Sequence, residues 1–235
     1  MAENSTQDDT FFGAYADTWW DDESTMAPLK SFNPLRFSYF DRFVDTWEGK
    51  RVLDVGCGGG YTTEFLDARG ARVSGIDYSP KLIGAARQHA AETGKDIQYE
   101  VGVAEELPYE DGAFDIVTCV DVLEHVRSPE QAVREIHRVL APGGIFLYDT
   151  INRTQRSRVM MIWIPERLLG IVPRGAHEWK DFITTREMLA HLSGAGFTPV
   201  GKMLGIAIRG QNSDGSLKAK HTKDLSSLYM GVAKR

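Results

Sequence analysis

Cysteine is scarce in this chain: only Cys57 and Cys119 occur in 235 residues, and they follow neither metal-ligand nor disulfide-framework spacing. Both are read as free thiols in a reducing compartment. Positive charge is also short, with 27 Lys and Arg against 33 Asp and Glu, a net charge of −6 and a pI near 5.6. That balance argues against a nucleic-acid surface, which needs a clustered basic face. No uncharged stretch reaches the roughly 18 residues needed to cross a bilayer, and no basic segment leading into an apolar run opens the chain. These absences leave a cytoplasmic protein acting on a small molecule or a lipid as the expectation, with peripheral membrane contact open.

What is present centres on Arg51 to Asp77, RVLDVGCGGGYTTEFLDARGARVSGID. An apolar β-branched run (Val52 to Val55), a glycine turn, an amphipathic segment and a second apolar run read as strand, turn, helix and strand. Gly56, Gly58, Gly59 and Gly60 let the backbone bend sharply and let a ligand approach the main chain. Asp77, 21 residues past Gly56, ends the second strand, where its carboxylate can accept from both ribose hydroxyls. A dinucleotide fingerprint needs glycine at position 61, where this chain has Tyr61, which disfavours a nicotinamide dehydrogenase. The G-x-G-x-G pattern instead resembles class I S-adenosylmethionine-dependent methyltransferases. The plainer alternative is a glycine turn that only packs a strand on a helix.

With 42% apolar content the chain supports one well-buried domain over residues 11–235 behind a disordered acidic tail, 1–10. Phe11, Phe12, Tyr15, Trp19 and Trp20 recur at helical spacing, which means either core or a segment closing over a cofactor. Helix starts are marked by Ser79-Pro80, by Ser128-Pro129 with Gln131 completing a capping box, and by Thr184 with Glu187; Gly194 or Gly196 ends the last. Apolar runs at Ile97–Val101, Phe114–Val120 and IFLYDT alternate with these helices. The architecture expected is therefore α/β: a Rossmann-like, doubly wound, seven-stranded and mainly parallel sheet with helices on both faces and a helical segment ahead of the first strand. Phe197–Leu204 and Leu228–Ala233 complete the sheet as a hairpin, with a polar loop, Arg209–Asp224, between them. In such sheets ligands sit beyond the carboxyl ends of the strands. Gly56 to Gly60, Asp77, Ala104 and Val120 to His125 all fall there. The turn at Ala104 and Glu105 is placed beside the adenine, contacting it through backbone groups because Val103 supplies no acid.

After strand five the alternation breaks. Residues 152–183 are read as a substrate lid; their first part, Asn152 to Pro173, NRTQRSRVMMIWIPERLLGIVP, carries Arg153, Arg156, Arg158 and Arg167, with Arg174 just past its end, against Glu166 alone. Met160 to Ile164 beside these arginines suit peripheral membrane contact through 153–174 or a lipid-tailed acceptor; an ordinary packed helix suits them equally.

WWD (Trp19 to Asp21), PLKSFNPLR (Pro28 to Arg36), VLDVGCGGG, DVLEHV (Asp121 to Val126), Asn152-Arg153 and VPRGAHEWKDFI (Val172 to Ile183) together resemble the O-methyltransferases of ubiquinone biosynthesis. The resemblance implies methyl transfer from S-adenosyl-L-methionine to a phenolic hydroxyl of a polyprenylated ring. It matches Arg36, Gly56, Asp77 and Val120 to cofactor contacts, with Cys57, Gly58, Gly60, Tyr78, Ala104 and Glu105 in the same cradle. Arg36 is placed near the cofactor carboxylate; residue chemistry alone favours a solvated helix charge. The resemblance also matches Asp121, Glu124 and His125 to an acid-x-x-acid-His cluster linked to a divalent cation such as Mg2+. Here Asp121 is one methylene shorter than the usual Glu, and the alternative is that Glu124 and His125 hydrogen-bond locally. Under either reading His125 is the expected base. Other small-molecule methyl transfer, to oxygen or carbon, and a non-catalytic cofactor-binding module are the competing functions.

Overall fold

In the computed structural model, residues 11–169, 175, 177–212 and 215–235 are described. The expected tail 1–10, and Val172 and Arg174 of the insertion, lie outside them.

Strands β1 (Arg51–Val55), β2 (Arg72–Asp77), β3 (Gln98–Val101), β4 (Phe114–Cys119) and β5 (Leu140–Ile151) pair in parallel. β6 (Thr198–Gln211), β7 (Leu217–Thr222) and β8 (Leu228–Lys234) add the antiparallel end, giving the order β3-β2-β1-β4-β5-β8-β6-β7. The helices are α1 (Asn33–Phe40), α2 (Tyr61–Asp67), α3 (Pro80–Glu92), α4 (Pro129–Val139) and α5 (Thr185–Ala195). Strand alternation sends Leu53, Val117, Phe146 and Tyr148 to one core with Val133 and Ile136 of α4 and Met188 and Leu192 of α5. It sends Val52, Ile116 and Leu147 to the other, with Phe37 and Phe40 of α1 and Leu66 of α2. Both faces of the parallel strands are thus covered, which is why they read as continuous apolar runs.

The sheet has eight strands, one more than expected. The extra one, β7, lies within the stretch read as a polar loop, pairs with β6 alone and forms an edge. An edge strand buries only part of one face, so Lys218 and Lys220 stay exposed and the segment lacks the apolar run that marks a central strand. Helix starts follow the sequence signals: Ser79 Oγ accepts from the Leu82 N–H at 3.4 Å, Ser128 Oγ from the Gln131 N–H at 3.3 Å, and Thr184 and Glu187 form a reciprocal box. Gly196, at φ +95°, ends α5. Gln131 does not complete a box at Ser128; its side-chain amide goes to the Glu105 carbonyl instead, at 3.4 Å. The N-terminal aromatic segment is helical, though as a tight 3₁₀ helix, Phe12–Thr18.

The insertion begins with a capped turn, Gln155–Ser157, and continues as a wide π-helical winding, Arg158–Leu169. Its legs are joined where Trp179 Nε1–H meets the Thr154 carbonyl at 2.9 Å and Arg153 donates to the Lys180 carbonyl at 2.9 Å. The Ile183 N–H meets the Ile151 carbonyl at 3.0 Å, which returns the segment to the end of β5. No helix among the described residues is long and apolar enough to cross a membrane.

Candidate cofactor and active site

The glycine loop leaves β1 through two residues at positive φ, Gly56 (+69°) and Gly58 (+54°). A Cβ on Gly56 would fall 2.3 Å from Val122 Cγ2, so the loop after β4 presses directly on the glycine loop. Gly56 and Cys57 N–H donate to the Ile76 carbonyl at 2.8 and 3.0 Å, pinning the turn to β2. The Cys57 and Cys119 thiols are free and buried, and Gly60 stands at the start of α2.

Asp77, 6% exposed, accepts the Gly58 N–H on one oxygen and the Ser79 N–H on the other, both at 2.9 Å. These two bonds orient the carboxylate at the end of β2, beside the glycine loop. Tyr78 follows, half-buried. At the end of β3 the chain turns through Ala104, which is buried, and Glu105. The Glu105 carboxylate accepts the Arg127 and Ser128 N–H groups at 2.7 and 3.1 Å, capping the approach to α4, so only backbone of that turn is left for adenine. Val103 is exposed beside it.

Above the loop lies Trp19, which is buried. A Cβ on Gly58 would stand 2.9 Å from its Cζ2, and its own Nε1–H has no acceptor among the described residues. A buried donor at a cradle of bare backbone fits a ligand that brings an acceptor. Positive-φ glycines, an oriented carboxylate and this donor are the chemistry that S-adenosylmethionine needs.

Arg36 is not a solvated charge. It is 2% exposed on α1 and ion-paired through Nε to Asp149 and through Nη2 to Asp121. Burial alone would lower its pKa; the two carboxylates raise it above its ordinary value. Asp121, following the buried Val120, holds φ +56°, the one described non-glycine residue in the left-handed region, and its N–H donates to Asp149 Oδ1 at 2.8 Å. The next strand residue, Thr150, points to the opposite face and donates to Glu124 at 2.6 Å. β5 therefore grips the loop after β4 from both sides. Burial, and then Asp121, push the Glu124 carboxyl up to about 7.

His125 packs edge-on to Phe12, ring centroids 5.3 Å apart, and lies 5.3 Å from His177. Burial, and then His177, lower its pKa to about 3, so it is neutral at pH 7. The expected cation set is not assembled: Asp121 turns to Arg36, Glu124 to Thr150 and His125 to two aromatic rings. Among the described residues no three His, Cys, Asp or Glu side chains are grouped to hold a metal. Sequence reasoning passed over Asp149 and treated His177 only as part of a family motif. Asp149 carried a signal like that of Asp77: an acid at the carboxyl end of an apolar parallel strand.

Residues 53–148 match the family model described as a methyltransferase domain. The fold is that of a solved S-adenosylmethionine-dependent methyltransferase from Aquifex aeolicus, with a TM-score of 0.65 at 16% identity over 94% of this chain and 97% of that one. The class is therefore a methyltransferase. The ubiquinone biosynthesis O-methyltransferase of Marinobacter nauticus is 43% identical over 188 residues, 79% of each chain. That of Chromobacterium violaceum is 39% identical over 206 residues, 83% of this chain and 88% of the other. The chain belongs to the ubiquinone biosynthesis O-methyltransferase family.

Proposed function

We propose that this enzyme methylates a hydroxyl on an aromatic, quinone-type precursor, using His125 as the base and the glycine loop with Asp77 and Arg36 as the cofactor cradle. The observation that carries it is the contact of Val122 with Gly56: the loop bearing His125 is packed directly on the loop expected to hold the cofactor. S-adenosylmethionine supplies an electrophilic methyl group on sulfur. The protein's part is to align the acceptor oxygen and to receive its proton. A phenol with a pKa of about 10 needs a neighbouring base. Neutral His125 is free to accept that proton as the C–O bond forms and the C–S bond breaks. Its depressed basicity makes it a poor store, so the proton passes on to bulk water. Glu124, held by Thr150, fixes the turn that presents the imidazole.

The insertion 152–183 is the lid in this reading. Val159, Met160 and Trp163 are exposed while Met161 and Ile162 pack against the core, and Arg158 lies over the Trp179 ring at 5.6 Å. That division supports contact with a polyprenyl tail or an anionic membrane surface by a cytoplasmic protein. The test pairs purified enzyme with labelled S-adenosylmethionine and either a polyprenylated or a water-soluble catechol, reading methylated product by mass spectrometry. Product from neither acceptor would refute the reaction. Equal turnover of both, without sedimentation on anionic vesicles, would refute the lid.

A further inference from the structure

Arg36 has two usable edges, and they are held unequally. The Nε edge faces Asp149, whose side chain is fully buried at the end of β5; the Nη2 edge faces Asp121, whose side chain is 30% exposed on a turn at positive φ. The Phe32 ring lies against the guanidinium, its centroid 4.9 Å from Cζ. One partner is thus built into the sheet. The other sits on a loop facing the glycine loop, and a carboxylate arriving from that side can replace it. Solvent can take over the partly exposed Asp121 carboxylate but not the buried Asp149, so Asp121 is the partner more readily displaced.

We propose that Asp149 is a positioning residue: it anchors Arg36 by Nε and holds the Asp121 turn by its N–H, so that Nη2 is presented to the cofactor carboxylate while Asp121 gives way. This rests on the reading of Arg36 as the carboxylate contact. A carboxylate on the guanidinium edge makes charge-assisted hydrogen bonds whose strength depends on the planar fork being held in place. Without Asp149 the fork keeps its charge and loses its direction.

The experiment measures calorimetric affinity for two ligands: S-adenosylhomocysteine, which carries the amino-acid carboxylate, and 5′-methylthioadenosine, which lacks it. Asp149→Asn keeps the shape and an acceptor for the Asp121 N–H but removes the charge facing Arg36. The expected result is S-adenosylhomocysteine binding weaker by about tenfold or more, with 5′-methylthioadenosine binding unchanged. A merely structural role would weaken both together, and that outcome overturns the proposal. Arg36→Gln separates the two readings. If it too leaves the ratio of the affinities unchanged, the carboxylate contact itself is wrong. If it collapses the ratio while Asp149→Asn does not, only the positioning role falls. Asp121→Asn keeps the proposal open to refutation should Asp149→Asn fail to fold. Removing the competitor is expected to tighten S-adenosylhomocysteine without moving 5′-methylthioadenosine, and selective weakening of S-adenosylhomocysteine would show that Asp121 binds the ligand rather than yielding to it.

Discussion

The Trp20 indole lies flat on the His89 imidazole, ring centroids 3.6 Å apart and planes 2° from parallel, and its Nε1–H reaches the Gly59 carbonyl at 2.8 Å. At the edge of the same ring, His89 Nδ1 meets the buried Glu64 carboxylate at 2.6 Å. The N-terminal 3₁₀ helix is thereby fastened to α2, α3 and the glycine loop at once. Trp19 lies under this clasp and Phe12 reaches His125, so one segment touches both the expected cofactor cradle and the expected base.

Trp20→Ala removes an aromatic stack and a hydrogen bond, together worth about 2 kcal/mol. The segment should loosen, with faster chymotryptic cleavage between Phe12 and Trp19 and weaker cofactor binding. Unchanged cleavage and unchanged affinity would show that the clasp has no hold on the site.

Asp77→Ala should weaken S-adenosylmethionine binding by about 1.5 to 3 kcal/mol, because the ribose loses a charged acceptor that two backbone N–H groups hold in place. Gly58→Val should do comparable harm, since φ is +54° there and the Trp19 ring is 2.9 Å from the new Cβ. Titration calorimetry reads both; native affinity in the two variants would remove the site from this loop.

His125→Ala should lower turnover by about 10²- to 10⁴-fold with little change in cofactor affinity. With the folded pKa near 3 and the unfolded value near 6.5, His125 stays neutral in the fold down to pH 4. Acidification through 6.5 should therefore show no loss of turnover assignable to its protonation. Because Asp121, Glu124 and His125 face different partners, enzyme treated with EDTA should retain its rate, and a rate restored only by Mg2+ would bring the cation back.

Glu124 makes stability depend on pH. Burial pushes its folded pKa up to about 7 against an ordinary value of 4.5, so the native state holds a proton that the unfolded chain releases between those values. As pH rises through that window, folding loses stability from this group. Glu124→Gln keeps a partner for Thr150 and abolishes the loss. Its advantage in thermal unfolding should be near zero at pH 4 and grow to about 3 kcal/mol by pH 8. A constant difference across that range would mean that folding does not shift the Glu124 pKa.

The parallel half of the sheet, its helix starts and the positions of Gly56, Asp77 and Val120 were legible in the chain because each follows from local rules. Apolar runs mark strands buried on both faces, Ser-Pro marks a capped helix, and an acid ends a strand beside a glycine turn. β7 was not legible, since an edge strand with Lys218 and Lys220 outward has the composition of a loop and becomes a strand only when β6 offers a ladder. The partners of Arg36 were equally out of reach. Asp121 and Asp149 stand 85 and 113 residues away from it in sequence, and nothing in NPLR distinguishes a buried, twice-paired guanidinium from a solvated one. Asp121, Glu124 and His125 show the same limit from the other side. Their spacing permits a shared ligand set on a helical turn, but the positive φ at Asp121 and the hydrogen bond from Thr150 turn the side chains apart. Local sequence determined which groups stand at the carboxyl ends of the strands. Which of them meet was decided by packing between distant segments, because direction at a site comes from the neighbours that fill the space around it.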